Sequence, residues 1–285
     1  MPETPFRWDV ARREQLGSLL DGLSDYRFMR ADDLDTLRRT SARLLALSNG
    51  ADLAFIGRSP ENFFDYMSGL FDGVAGAPER HLVQFSMHWP GEGGVKALPR
   101  DKLEGLFSYF NALGLAPADI ASAPAPLALV DFVAYGGTMQ TFISLLHLLA
   151  EWDGTDWNAV QRRLKIIGLT HRTKNSPNTW RWQQNQDWLD LIPDTDIKNV
   201  SVPSGFLFLI ANSPEKVTRS HDIQRWDNPE RPPLNQDQLR ALKLAVDLYD
   251  LGRTRKERHL LAGLIAKTHQ IRQPNTRALV TALKR

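Results

Sequence analysis

The sequence predicts an α/β protein, a mainly parallel sheet flanked by helices with helical additions at both ends, and three observations point there. Twice a short apolar run is followed by glycine and then by a stripe of helical period: residues 51–56, Gly57 and 61–71, then 127–133, Gly136-Gly137 and 142–149. Several of the runs are apolar without alternation, the pattern of strands buried on both faces. Finally, 285 residues with 42% hydrophobic and 24% charged composition are enough to close a core without disulfides or metals.

Taken in order, Leu16, Leu19, Leu20 and Leu23, then Leu34, Leu37, Leu44 and Leu45, recur at threes and fours and predict two amphipathic helices between residues 9 and 47. Residues 51–56 form a first strand, and Phe63, Phe64, Met67, Leu70 and Phe71 share one face of a helix. A second strand over 81–87, a loop over 89–100 and a helix over 103–113 follow. The run 127–133, interrupted by Asp131, leads through glycines into a helix carrying Phe142, Leu145, Leu146 and Leu149. Strands are further expected over 164–170 and over 205–211, where Phe206-Leu207-Phe208-Leu209-Ile210 is apolar at every position. Residues 225–235, with Pro229, Pro232 and Pro233, read as a linker, and 237–250, 255–270 and 275–283 as three helices. The expected division is a helical extension over 1–50, an α/β core over 51–215 and a basic helical region over 216–285.

Charge separates the regions. Thirty-five basic against 33 acidic residues give a net +2, too balanced for a polycation. Residues 216–285 hold 15 basic and 7 acidic residues, a net +8, and the preceding chain is net −6. The absence of cysteine excludes disulfides, thiolate metal sites and cysteine nucleophiles and fits a reducing compartment, so a cytoplasmic location is expected. No secretory signal is read at the N-terminus, and no apolar stretch approaches the ~20 residues of a membrane span. A membrane partner is therefore not expected. The seven histidines show no metal-binding spacing.

The chemistry concentrates in Leu129-Val130-Asp131-Phe132-Val133-Ala134-Tyr135-Gly136-Gly137-Thr138-Met139. Glycines that open the backbone before a helix start suit a phosphate. The Thr138 hydroxyl can donate to that phosphate or cap the helix, and Asp131 can hold a ribose diol or Mg²⁺, or simply cap its turn.

This order of strand, Asp131, glycine turn and Thr138 resembles the phosphoribosyl pyrophosphate signature of the type I phosphoribosyltransferases. The continuation Gly137-Thr138-Met139-Gln140-Thr141-Phe142-Ile143-Ser144-Leu145 is similar to the matching helix of the hypoxanthine-guanine branch. The family's pyrophosphate loop follows an earlier strand, and Ile56-Gly57-Arg58-Ser59-Pro60 stands at that position. The resemblance covers about residues 51–170 and is specific over about a dozen. It implies a phosphoribosyltransferase-like fold that binds phosphoribosyl pyrophosphate or a related ribose phosphate or nucleotide. Gly136, Gly137 and Thr138 would hold the 5′-phosphate, Asp131 the ribose hydroxyls and Mg²⁺ as cofactor, and Gly57, Arg58 and Ser59 the diphosphate. No catalytic residue is assigned.

The sequence also departs from that pattern. The family pairs two acids at the strand end, whereas Phe132 follows Asp131; Ala134 stands where purine enzymes carry an acid, and Tyr135 where a small residue is usual. Two functions stay open: a divergent transferase of phosphoribosyl groups, and a catalytically inactive nucleotide-binding or regulatory protein of the same fold whose basic tail contacts a partner. Arg58 and Ser59 read equally as an anion site or as a solvated cation and a helix cap. Loop 89–96, with Lys96 and the nearby Arg100, is either a mobile cover or a surface hairpin. Trp180, Trp182 and Trp188 beside His171, Arg172, Lys174 and Arg181 suit base stacking or, more commonly, packing. In the tail, Arg253, Arg255, Lys256, Arg258, Lys267 and Arg272 fit a solvated face better than nucleic-acid contacts.

Overall fold

In the computed structural model, which describes residues 4–23, 29–88, 91, 93–171, 182–185, 187–193, 196–226 and 234–285, five strands build one sheet. They are β1 (Asp52–Ile56), β2 (Arg80–Val83), β3 (Leu127–Phe132), β4 (Leu164–His171) and β5 (Ile197–Val202). The sheet is parallel throughout, in the order β2-β1-β3-β4-β5. β1 and β3 are neighbours in the register Asp52↔Leu127 to Phe55↔Val130. β3 is central and buried at its first five positions, four apolar residues followed by Asp131.

Alternate residues serve opposite faces. Leu53, Phe55, Ala128, Val130, Ile167 and Leu169 pack with helices α1 (Ala31–Ser48), α2 (Glu61–Phe71), α9 (Arg255–Ala266) and α10 (Pro274–Leu283). Ala54, Ile56, Leu129 and Ile166 pack with α3 (Arg100–Ala112) and α5 (Gly137–Asp153). The short helices α4 (Pro117–Ser122) and α6 (Trp157–Gln161) lie between α3 and β4 in the chain. Both terminal helical regions thus belong to the layer that covers the sheet. α8 (Gln236–Arg253) starts at a reciprocal cap in which Asn235 Oδ1 accepts the Gln238 N–H at 2.9 Å and Gln238 Oε1 accepts the Asn235 N–H at 3.0 Å. No helix among the described residues is long and apolar enough to cross a membrane.

Two expectations are corrected. Residues 205–211 are not a strand: Pro203 ends β5, and Ser204–Ala211 form helix α7. Phe206 and Ile210, four apart, are buried while Phe208 is 68% exposed, which is helical one-sidedness hidden inside a run too short to show its period. The strand lies earlier, at Ile197–Val202, where Ile197, Val200 and Val202 are buried and Lys198 is exposed. Nor do the described residues of 9–47 hold two α-helices. Before α1 they show one 3₁₀ turn, Arg13–Gln15, within a stretch where Gly17 and Gly22 take φ of +48° and +81° and stop helix propagation. Its Leu16 packs instead with Leu242 and Val246 of α8.

Trp182 and Trp188 are core residues: their rings stack at 6.1 Å, and Trp182 Nε1 donates to Asn199 Oδ1 at 2.7 Å. Arg172, Lys174, Trp180 and Arg181, like Trp89, Pro90, Glu92 and the linker prolines, lie outside the described residues. In the tail, Arg253 faces Asp72 at 3.6 Å and Arg258 donates to the Asp72 carbonyl, so part of that charge is structural.

α2 is buried at ten of its eleven positions, sandwiched between the sheet and α8. The backbones approach so closely that a Cβ on Gly69 would collide with the Tyr249 carbonyl, and one on Gly252 with the Tyr66 carbonyl. Gly69→Ala is accordingly expected to lower unfolding stability by about 1–3 kcal/mol. Gly263→Ala, facing open space in α9, is expected to be neutral or to stabilise by up to ~1 kcal/mol; denaturant titration of both variants checks the pair.

Candidate functional site

β1 and β3 lie side by side, yet their helices leave on opposite faces. α2 turns onto the face of Leu53 and Phe55, α5 onto the face of Ala54 and Ile56. At such a reversal the carboxyl ends of two parallel strands flank a crevice that no crossover covers. The two glycine turns singled out above stand on its two sides, Gly57 after β1 and Gly136 after β3.

Each turn has a local cause. Gly57 takes φ +77°, its N–H donates to the Val83 carbonyl at 2.8 Å, and a Cβ there would sit 2.8 Å from the Phe85 carbonyl. Only glycine fits both demands. Gly136 takes φ +85° as N-cap of α5, with the Gln140 N–H reaching its carbonyl at 2.8 Å. The N-cap is therefore Gly136 and not Thr138, which lies inside the first turn. With no side chain capping α5, the first amides of a 17-residue helix face outward. The Thr138 hydroxyl lies 3.3 Å from His88 Nδ1. The segment from Phe85 to His88 consequently touches both turns, which a three-residue step can bridge over about 10 Å at most.

Asp131 ends β3 on the α5 face, 6% exposed. One carboxyl oxygen accepts the Phe132 N–H at 2.7 Å, and the other has no partner among the described residues. Burial pushes its pKa well up, and the Phe132 amide offsets this only in part. No cation among the described residues stands against it. A desolvated carboxyl with a spare oxygen is a costly feature for folding, and an acceptor for hydroxyl groups.

On the β1 side Arg58 is exposed, Ser59 half-buried and Pro60 buried. Ser59 does not cap α2, whose N-cap is Pro60 with no side-chain bond. The Arg58 carbonyl accepts the Glu61 N–H at 3.3 Å, while its guanidinium makes no hydrogen bond or ion pair among the described residues. Behind it lies a residue that sequence reasoning missed, Lys216, buried with its Nζ donating to the Ile210 carbonyl. Burial first, and the charge of Arg58 as well, push the Lys216 pKa down against the pull of Glu61. Glu61 accepts the N–H groups of Val217 and Thr218 at 3.1 and 2.7 Å, and Arg7 grips both Asp65 oxygens at 2.8 and 2.7 Å. His88 was missed as well. Neither residue carries a motif: Lys216 lies about 160 positions from Gly57, and His88 follows an ordinary strand.

The structure thus brings Asp131, Gly136, Gly137 and Thr138 together on one turn and sets Gly57, Arg58 and Ser59 on the neighbouring one. Among the described residues no three His, Asp or Glu side chains gather as a metal site. No family model matches the chain, and no curated protein or solved structure similar to it was found.

Asp131 yields a stability prediction. Its pKa is raised on folding, so the folded form favours the neutral acid; relative stability is full below the ordinary carboxylate pKa and is lost as pH rises through the elevated one. Asp131→Asn is therefore expected to be more stable than the parent at pH 8, by about 0.5–2 kcal/mol, with the gain vanishing near pH 3. Thermal melts across that range check it.

Proposed function

We propose that the chain is a phosphoribosyltransferase-like protein that binds phosphoribosyl pyrophosphate, or a related ribose phosphate, in the crevice between the β1 and β3 turns. The observation that carries this reading is Asp131: a buried carboxyl that, among the described residues, has no cation and one unpartnered oxygen, beside an uncapped helix start. The free amides of α5 and the Thr138 hydroxyl match a phosphate, and the spare Asp131 oxygen matches the hydroxyls of the ribose that carries it. Gly57, Arg58 and Ser59 would face the diphosphate, with Arg58 supplying the unpaired charge. A lone carboxylate fits Mg²⁺ that arrives on a diphosphate, since this ion commonly keeps its waters and takes one or two protein carboxylates. When bound, the ion would neutralise diphosphate charge. In transfer, a nitrogen of the acceptor base would bond to the anomeric carbon and lose its proton to solvent, while the bond from that carbon to the diphosphate oxygen breaks and its electron pair leaves with pyrophosphate; the chain's share is to hold the charges that develop.

A second reading, a nucleotide sensor without transfer, is favoured by Phe132 and Ala134, which leave Asp131 without a second acid. In both readings the ligand is the same.

Calorimetric titration with phosphoribosyl pyrophosphate and Mg²⁺ is expected to show saturable binding, weakened at least tenfold, or ~1.4 kcal/mol, by Asp131→Asn and by Thr138→Val. Unchanged affinity in both variants would rule the site out. Pyrophosphate release on adding candidate bases identifies the transferase; binding without release identifies the sensor.

A further inference from the structure

We propose that a cavity between α1, α9 and the carboxyl end of β5 is a second binding site, which takes the phosphate of a small organic phosphomonoester. The cavity has a volume of about 370 Å³ and is lined by Arg39, Thr40, Arg43, Ser201, Pro203 and Leu264 among others. That volume lies within the ~300–1,000 Å³ of small-ligand sites. β5 is the edge strand, three positions from β1 and two from β3, so the cavity stands roughly 10–15 Å across the sheet from the glycine turns. It shares no residue with them.

Its polarity specifies an anion. Two guanidinium groups line the cavity and no carboxylate does. Arg39 and Arg43 are four residues apart on α1, hence neighbours on one helix face, where like charges repel unless an anion lies between them. Asp35 holds Arg39 through Nε at 2.7 Å, fixing the direction of that guanidinium. Arg43 has no hydrogen bond or ion pair among the described residues.

Thr40 is the independent sign. It is 3% exposed and lines the cavity, yet its hydroxyl has no partner among the described residues. A buried helical threonine ordinarily donates to the carbonyl four residues back, as Thr36 does to Asp32 at 2.9 Å. The Thr40 oxygen is accessible from the cavity, where it is a free hydrogen-bonding group for whatever occupies that space. A carboxylate would be satisfied by one bidentate arginine; two guanidinium groups and a hydroxyl suit the three terminal oxygens of a phosphate. Pro203 and Leu264 give the rest of the cavity an apolar wall, which favours a phosphate carried on an organic body over the bare ion.

The test uses the full chain with phenyl phosphate and, separately, inorganic phosphate, neither of which carries a ribose. Calorimetry is expected to show saturable phenyl phosphate binding, tighter than that of inorganic phosphate, with amide exchange slowed in α1. Arg43→Gln, at an exposed position that folding tolerates, and the isosteric Thr40→Val should each weaken it at least tenfold. Thr138→Val and Asp131→Asn should leave it unchanged. Absence of binding, affinity indifferent to Arg43→Gln and Thr40→Val, or loss on Thr138→Val alone would overturn the assignment. The last outcome would place the phosphate in the crevice between β1 and β3.

Discussion

The parting of α2 and α5 to opposite faces of the sheet governs the arrangement of this molecule. Two parallel strands can lie hydrogen-bonded side by side while their helices diverge, and the end of the sheet between them is then left without a crossover. Packing decides which helix goes where: Phe63, Tyr66, Met67 and Leu70 commit α2 to one hydrophobic cluster, and Met139, Phe142, Ile143 and Leu146 commit α5 to the other. The crevice is thus a consequence of core formation. Its chemistry is local to the two turns, where glycine backbone, one acid and one hydroxyl meet.

The β1 turn is fixed by residues remote from it in sequence. Arg7, Asp65, Glu61 and Thr218 form a buried polar cluster at the start of α2 that ties the N-terminal strap to residues 216–218. Arg38 and Glu257, with the Tyr66 hydroxyl on Glu257 at 2.6 Å, tie α1 and α9 to the same helix. Removing one partner of such a pair would strand a charge in the interior, a loss of about 3–5 kcal/mol. The helical regions at both ends therefore serve as a clamp on α2. A diphosphate at Gly57 would meet a turn whose following helix has little freedom to shift, which is the rigidity that a fixed charge receptor needs.

What the sequence discloses follows from how each signal arises. β1 and β3 are legible because predominantly apolar strands followed by a glycine turn and a helical stripe have few alternatives, and Gly57 and Gly136 do adopt positive φ. Helix α7 was read as a strand because five consecutive apolar residues carry no period; only the burial of Phe206 and Ile210 against an exposed Phe208 discloses the helix. Thr138 and Ser59 were read as cap residues by type, but the caps fall to Gly136 and Pro60, since the tight exits from β1 and β3 set the first helical turn. Lys216, His88 and the Arg39–Thr40–Arg43 cavity were invisible for a different reason. Each gains meaning only from tertiary neighbours: Arg39, Thr40 and Arg43 read as one helix face until Ser201, Pro203 and Leu264 are found around the same cavity.

Asp131 is where folding and function pull apart most plainly. A sequence selected for stability alone would place an apolar or amide side chain at the end of the central strand, because an uncompensated buried carboxyl costs more than it returns. Its single useful hydrogen bond, to the next residue's amide, could be made as well by asparagine. A carboxyl at this position is intelligible if a ligand regularly brings hydroxyl groups or a cation to its open oxygen. Phe132, which points to the opposite face and packs against Phe63 at 5.9 Å, shows that the neighbouring position has been given over to the core. A ligand reaching this strand end would therefore meet a single carboxyl, with the neighbouring position filled by a core aromatic ring.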